Sequence, residues 1–338
     1  MLQLPTHRLL LAALFVATLA GCNVLRDVVT RLPGPRLYEK GAEVIGEIRA
    51  FEYRIGFRPT ENFLELDKET ESYPFCGFVS RLYLPYSYSD PAIQWRDTEN
   101  EAECRMLAGG GMDVYFGQSE AVGQIGTPVT GSMLSGSLAR FVYLVIHEDC
   151  HDQFDLPQGV EEPLCNVITY HGMVAYAEDK ERQGVLERTA MRRYAERESE
   201  RTRLAKAAYE DLERQYARYA RNELTTQALM EERARVFARA ERALALDRGS
   251  LNNVGIANDM TYSRHFPLLE SVLHAHGGDI ARTVAFFRRV DALKPSRAAI
   301  LKQNKLTSEQ DVAFVRAYES VVLETLRKQL EAAGLRLQ

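Results

Sequence analysis

Apolar residues recur at helical spacing along much of the chain, with one clear interruption. In LYEKGAEVIGEIRAFEYRIG, residues 37–56, the apolar positions Val44, Ile45, Ile48 and Phe51 predict an amphipathic helix. Residues 57–130 lose that period. They are richer in Gly, Pro, Tyr and Ser, and the short aromatic and β-branched runs FVSRLYLPYS and MDVYFG predict strands. From Ser137 the helical pattern returns. SGSLARFVYLVIHEDCHDQF sets Leu138, Phe141, Val142, Val145 and Ile146 on one helix face. Gly159 then breaks the chain, Pro163 suits the first turn of a new helix, and Leu164, Val167, Ile168 and Val174 follow at helical spacing. The long run from Glu187 to Leu244 is about half charged with few breakers, as expected of the solvated faces of long amphipathic helices. The predicted class is α+β, predominantly α. Residues 37–338 form one unit, with a small α+β front over 37–136 and a helical part over 137–338.

Composition adds limits to this pattern. The 338 residues are 46% hydrophobic and 26% charged, with a net charge of −5. That mild acidity, with no long basic run, argues against a nucleic-acid partner. The first residues follow a separate logic. MLQLPTHRLLLAALFVATLAGCN has a short front with Arg8, an apolar run over Leu9–Leu19, and then Leu19-Ala20-Gly21-Cys22. The run is short for a membrane span and has the layout of a secretory signal. Its ending resembles the bacterial lipobox, in which the cysteine becomes the lipid-modified first residue. Residues 1–21 are therefore expected to be a lipoprotein signal peptide, Cys22 the lipidated residue, and 22–36, with its Pro-Gly-Pro stretch, a tether. Asn23 in place of aspartate favours an outer-membrane lipoprotein facing the periplasm, held through its N-terminal lipid.

Export changes how the cysteines read. Apart from Cys22 there are four: Cys76, Cys104, Cys150 and Cys165. An even set in an oxidising compartment suggests two disulfides, with three pairings open. Sequence order favours Cys76–Cys104 and Cys150–Cys165.

The chemistry concentrates in VIHEDCHDQF, residues 145–154. His147 and His151 are four apart, so both can point from one helix face at one ion. Imidazole nitrogens suit zinc (Zn2+), which in a hydrolytic site takes three protein ligands and one open position. Glu148 stands beside the pair, where a carboxylate can serve as general base. The motif alone arises by chance in roughly one chain in eighty, so its context matters. The context supplies Glu162, eleven residues after His151, at the start of the next helix. Glu162 is preferred to Glu161 as third ligand because the residue three after it is the small Cys165. The residue three after Glu161 is the bulkier Leu164. Asn166, four after Glu162, is a candidate to hydrogen-bond a ligand histidine.

These residues resemble the bacterial predicted aminopeptidases, lipoprotein-type members of the HExxH zincins. The resemblance is carried by GMDVYFGQSEAVGQIGTPVTGSMLSGSLARFVYLVIHEDCH, then by VEEPLCNVI, and farther on by SLNNVGIANDMTYSRHFPLLESVLHAHGGDIARTVAFFRRV. Glu161, Pro163 and Cys165 depart from the family's pattern after the first helix. The resemblance implies a zincin-like catalytic domain of the glutamate type, with His147, His151 and Glu162 as ligands and Glu148 as base. It also implies Tyr262 as a donor to the oxyanion, since a phenol donates without net charge. An edge strand at Met112–Gly117 would receive an extended peptide. Asp113 in that strand and Glu161 are the candidate substrate-binding residues, and Glu120 is a further candidate anchor for a free amine. His265 could share a face with Tyr262, whereas His171, His274 and His276 have no metal-demanding spacing. The expected activity is that of a membrane-tethered zinc aminopeptidase acting on peptides. The competing readings are a zinc endopeptidase and a non-catalytic lipoprotein that keeps the scaffold for binding.

Overall fold

A computed structural model describes residues 36–67, 72–98, 100–123, 126–179 and 185–337. The signal peptide, Cys22 and the tether up to residue 35 lie outside the described residues. The first helix, α1 (Arg36–Arg54), falls where the apolar period predicts it, and Ile45, Ile48 and Phe51 are buried. The front half holds the strands β1 (Leu66–Asp67), β2 (Tyr73–Ser80), β3 (Gln94–Arg96), β4 (Met112–Ser119) and β5 (Val129–Thr130). β1 and β5 form a parallel pair, and the other three form an antiparallel sheet in the order β3-β2-β4. Only the start of FVSRLYLPYS is strand; β2 ends at Ser80, and the rest is turn and loop.

Alternation along β4 gives the sheet two different faces. Met112, Val114 and Phe116 pack with Cys76, Phe78 and Cys104 against α2 (Glu101–Ala108). Cys76 and Cys104 are disulfide-bonded, with Cα atoms 5.7 Å apart. Tyr115 points the other way, joining Val79, Ile93, Trp95 and Val254. β4 pairs with β2 along one edge; no strand pairs with its other edge among the described residues.

The rear of the chain is helical: α3 (Gly131–Ser135), α4 (Leu138–His151), α5 (Gln158–Asp179), α6 (Val185–Ala220), α7 (Thr226–Ala243) and α8 (Asn253–Ser263). They continue with α9 (Phe266–Ala275), α10 (Ile280–Leu293), α11 (Arg297–Asn304) and α12 (Val312–Ala332). The class is α+β, predominantly α. None of the described helices is long and apolar enough to cross a membrane.

Ser137 caps α4 by accepting from the Arg140 amide at 3.2 Å, a contact worth about 1 kcal/mol. Phe141, Val142, Val145 and Ile146 are fully buried, so α4 is a core helix whose charged end is carried inside with it. α5 lies beside it, joined by the Cys150–Cys165 disulfide with Cα atoms 5.6 Å apart. α5 begins earlier than the sequence suggests: Gly159 is inside it and Pro163 sits in its second turn. The reason is tertiary. Glu319 of α12 presses its carboxylate against Gly159, where a Cβ would lie 2.1 Å from Oε1. Glycine is required here by close approach rather than by chain breaking. The 36-residue α6 buries Ala205, Ala208, Tyr209 and Leu212 against α7 and α8 and leaves its charged side to solvent.

Candidate active site

The last turn of α4 and the first turns of α5 bring three donor atoms to one point. The Nε2 atoms of His147 and His151 are 3.3 Å apart. Glu162 Oε2 is 3.2 Å from the first and 3.3 Å from the second. All three residues are at most 9% exposed. Burial opposes a charged His151, but the Glu162 carboxylate and the hydrogen bonds to Glu161 and Glu162 outweigh it, and the imidazole is held well above its ordinary range. Burial likewise pushes Glu162 up, yet the charge on His151 and the bonds to both histidines hold it well below the usual carboxylate range. The cluster therefore favours positive charge at its centre, as a donor set for a cation should. Among the described residues, this trio is the group of His, Cys, Asp and Glu side chains placed to hold a metal ion.

Glu161 was expected to face substrate. Instead its Oε1 lies 2.9 Å from His151 Nδ1, and its Oε2 accepts from the Leu156 amide at 2.8 Å. It fixes the orientation of the His151 ring, leaving Nε2 for the donor set. Asn166 also acts one step back from its expected place. Its Oδ1 accepts from the Tyr143 hydroxyl at 2.9 Å, and it is the Tyr143 ring that stacks on His147, with centroids 5.1 Å apart. The bond expected from Asn166 to a ligand histidine is replaced by this one to Tyr143, one turn before His147 on α4.

Asp113 is likewise not presented to a peptide. It is 5% exposed, ion-paired to Arg233, and accepts from the Asn253 amide at 2.8 Å. Its carboxylate ties β4 to the start of α8. Glu120 accepts from Arg140 Nε at 2.7 Å. His265 lies 3.0 Å from Glu319 Oε2, in a separate buried cluster with the Tyr86 hydroxyl.

Glu148 flanks the donor set and is 8% exposed. The backbone after β4 passes over it closely: a Cβ on Gly123 would lie 3.1 Å from Glu148 Oε2 and 3.0 Å from His151 Cβ. Tyr262 stands on the other side, its ring centroid 6.4 Å from that of His147. The charge of Glu162, then burial, then the charge of Glu148 push its phenol well above the ordinary range, so it stays a neutral donor. Tyr88 also borders the site; burial, and then Glu162, push its phenol up. Nothing in the spacing around Tyr88 singles it out; it arrives because its amide bonds Thr261 Oγ1 at 2.8 Å, next to Tyr262.

The far face of α4 is held as firmly. Thr60 Oγ1 donates to Asp149 Oδ1 at 2.6 Å, and the fully buried Asn62 donates to Asp149, Asp152 and the Glu148 carbonyl. Asn62 Oδ1 accepts in turn from the Thr127 amide at 3.2 Å. One amide thus joins the segment after α1, the metal-site helix and the segment before β5. Within helical spacing Asp149 looks like a surface residue, and only this packing reveals its role.

The fold and site together define a helix-dominated α+β protein carrying a buried His–His–Glu donor set with a flanking glutamate. Residues 60–302 match the family described as "Putative aminopeptidase", and the chain belongs to that family. No curated protein and no solved structure matches the chain.

Proposed function

We propose that the protein is a zinc-dependent peptidase of the aminopeptidase type, tethered to the outer membrane through lipidated Cys22 and facing the periplasm. Family membership supports peptidase activity. The observation that carries the zinc reading is the triangle of donor atoms, with edges of 3.2, 3.3 and 3.3 Å. Tetrahedral zinc with bonds of about 2.0–2.1 Å separates its ligand atoms by about 3.3–3.4 Å. The donor types fit equally well: two imidazoles and a carboxylate leave a fourth position open. His147, His151 and Glu162 would hold the ion. Bound there, zinc would polarise the scissile carbonyl and acidify water.

The remaining work belongs to the chain. Glu148 takes the proton of the attacking water and passes it to the departing amine. Tyr262 donates its phenolic hydrogen to the carbonyl oxygen as negative charge grows there. Tyr143 and Glu161 keep the two imidazole planes fixed. The open edge of β4 supports an extended substrate. The Val114 carbonyl on that edge is already taken by Asn252 Nδ2 at 2.7 Å. Antiparallel alternation puts the backbone groups of Phe116 and Gln118 on the same edge, free to pair with a peptide. The Leu19-Ala20-Gly21-Cys22 ending supports the lipoprotein anchor.

The test is metal content measured together with hydrolysis of aminoacyl anilides. Glu148→Gln should keep stoichiometric zinc and lose about 10²–10⁴-fold in kcat. His147→Ala should lose the metal. Survival of activity in the first variant, or of stoichiometric zinc in the second, would overturn the assignment.

A further inference from the structure

Most of the carboxylates around the centre already have partners. Glu161 serves His151, Glu120 serves Arg140, and Asp113 serves Arg233. Asp149 serves Thr60 and Asn62, and Glu198 accepts from Arg197 Nε at 2.9 Å. Glu162 belongs to the donor set and Glu148 to proton transfer. Asp259 differs: among the described residues it makes no hydrogen bond and no ion pair, although it is only partly exposed.

Its position on α8 is informative. Residues three and four apart on a helix share a face, with Cβ atoms about 5–6 Å apart. Gly255, Asp259 and Tyr262 therefore form one stripe. Gly255 lies under the ring of Tyr115, where a Cβ would meet the ring at 3.4 Å, so the stripe faces β4. At its other end Tyr262 reaches the donor set, within the field of both Glu162 and Glu148. Tyr115 lies between, within the field of Asp259 and felt in turn by Tyr262. Asp259 thus stands one helical turn from Tyr262, whose ring borders the donor set, on the face of α8 turned toward the strand that would carry a peptide. Arg201 of α6 flanks it, and each charge favours the other, with no hydrogen bond between them.

We propose that Asp259 is the anchor for the free α-ammonium group of the substrate, which would make the site exopeptidic rather than endopeptidic. The inference rests on the peptidase reading above. The amine nitrogen of an N-terminal residue is two bonds from the scissile carbonyl carbon. A group that recognises it must therefore sit within about one side chain of the metal. An internal or acetylated residue brings no charge there. Arg201 supplies a nearby positive charge but no hydrogen bond to Asp259, so an arriving ammonium would bring the donor that the carboxylate lacks.

The experiment is a calorimetric titration of the full-length protein with leucinamide and with N-acetyl-leucinamide, repeated on Asp259→Asn and Asp259→Glu. The wild type should prefer the free amine by about 10–100-fold, the value of a hydrogen bond to a charged group. Asp259→Asn should abolish that preference with metal content and Tm unchanged, and Asp259→Glu should restore part of it. Equal binding of the two ligands by a wild type that hydrolyses peptides would overturn the proposal and leave the peptidase reading standing. A preference that persists in Asp259→Asn would also overturn it. An amine preference that depends on Asp259, in a protein without hydrolytic activity, would support the anchor and sink the peptidase reading.

Discussion

Cys150 and Cys165 tie together the two turns that carry the metal-site donors. Cys150 adjoins His151, Cys165 lies one turn beyond Glu162, and both sulfurs are fully buried. Replacing both by alanine opens a loop with a sequence separation of 15 residues. The chain-entropy account assigns a loop of that size about 3 kcal/mol of stabilisation, acting through the unfolded state. For a chain of this length that corresponds to a fall in Tm of about 4–5 °C. The entropic effect predicts the same loss with and without metal, because it does not alter the folded site. A separate loss of zinc affinity, about tenfold, is expected only if the bridge also holds α4 and α5 in register. Thermal unfolding in a chelator, followed by zinc titration of the refolded variant, separates the two effects. A metal-free variant within about 1 kcal/mol of the wild type would refute the entropy argument. An unchanged zinc affinity would refute the claim that the bridge positions the ligands.

Glu161→Gln weakens the carboxylate hold on His151 Nδ1, and zinc affinity should fall about 10–100-fold in competition with a chelator. Gly159→Ala should destabilise by about 1–3 kcal/mol in denaturant unfolding, because the new Cβ would collide with Glu319. At an ordinary helical site the same change would stabilise by about 0.5–1 kcal/mol, so the sign itself is diagnostic. Glu52 is buried beside Asp149, and burial first, then the Asp149 charge, raise its pKa well above the ordinary 4.5. The folded state then binds more protons than the unfolded state above pH 4.5, so stability falls as pH rises from there through the raised folded value. Glu52→Gln should flatten that decline in a pH series of unfolding curves.

Much of the candidate centre was legible because its geometry is local. Helical periodicity carries His147 and His151 to one side of α4 whatever surrounds them. The choice of Glu162 over Glu161 followed from the size of the residue one turn later. The structure brings Glu162 to the Nε2 atoms of both histidines and Glu161 to His151 Nδ1. Disulfide pairing followed from order along the chain, and β4 was legible from its run of strand-forming residues. Asp113, Glu161 and Asn166 make contacts other than those their places in the chain suggest, and nothing in the sequence singles out Tyr88. Each of these contacts concerns a partner chosen by packing between elements. Asp113 meets Arg233 across 120 residues, and Tyr88 meets Thr261 across 173.

What the sequence by itself determined is therefore the run of helices behind residue 137 and the placing of the two histidines on one helix face, because these depend on the 3.6-residue period and on side-chain identity. Only the tertiary structure decided which carboxylate orients a histidine and which ties one element to another. A buried carboxylate takes whatever donor the fold brings within about 3 Å, and that distance is set by how α4, α5, α8 and β4 pack together, not by spacing along the chain. Glu161 leaves its expected role for this reason: packing gives it to His151, although its place in the chain beside Glu162 points equally well to substrate.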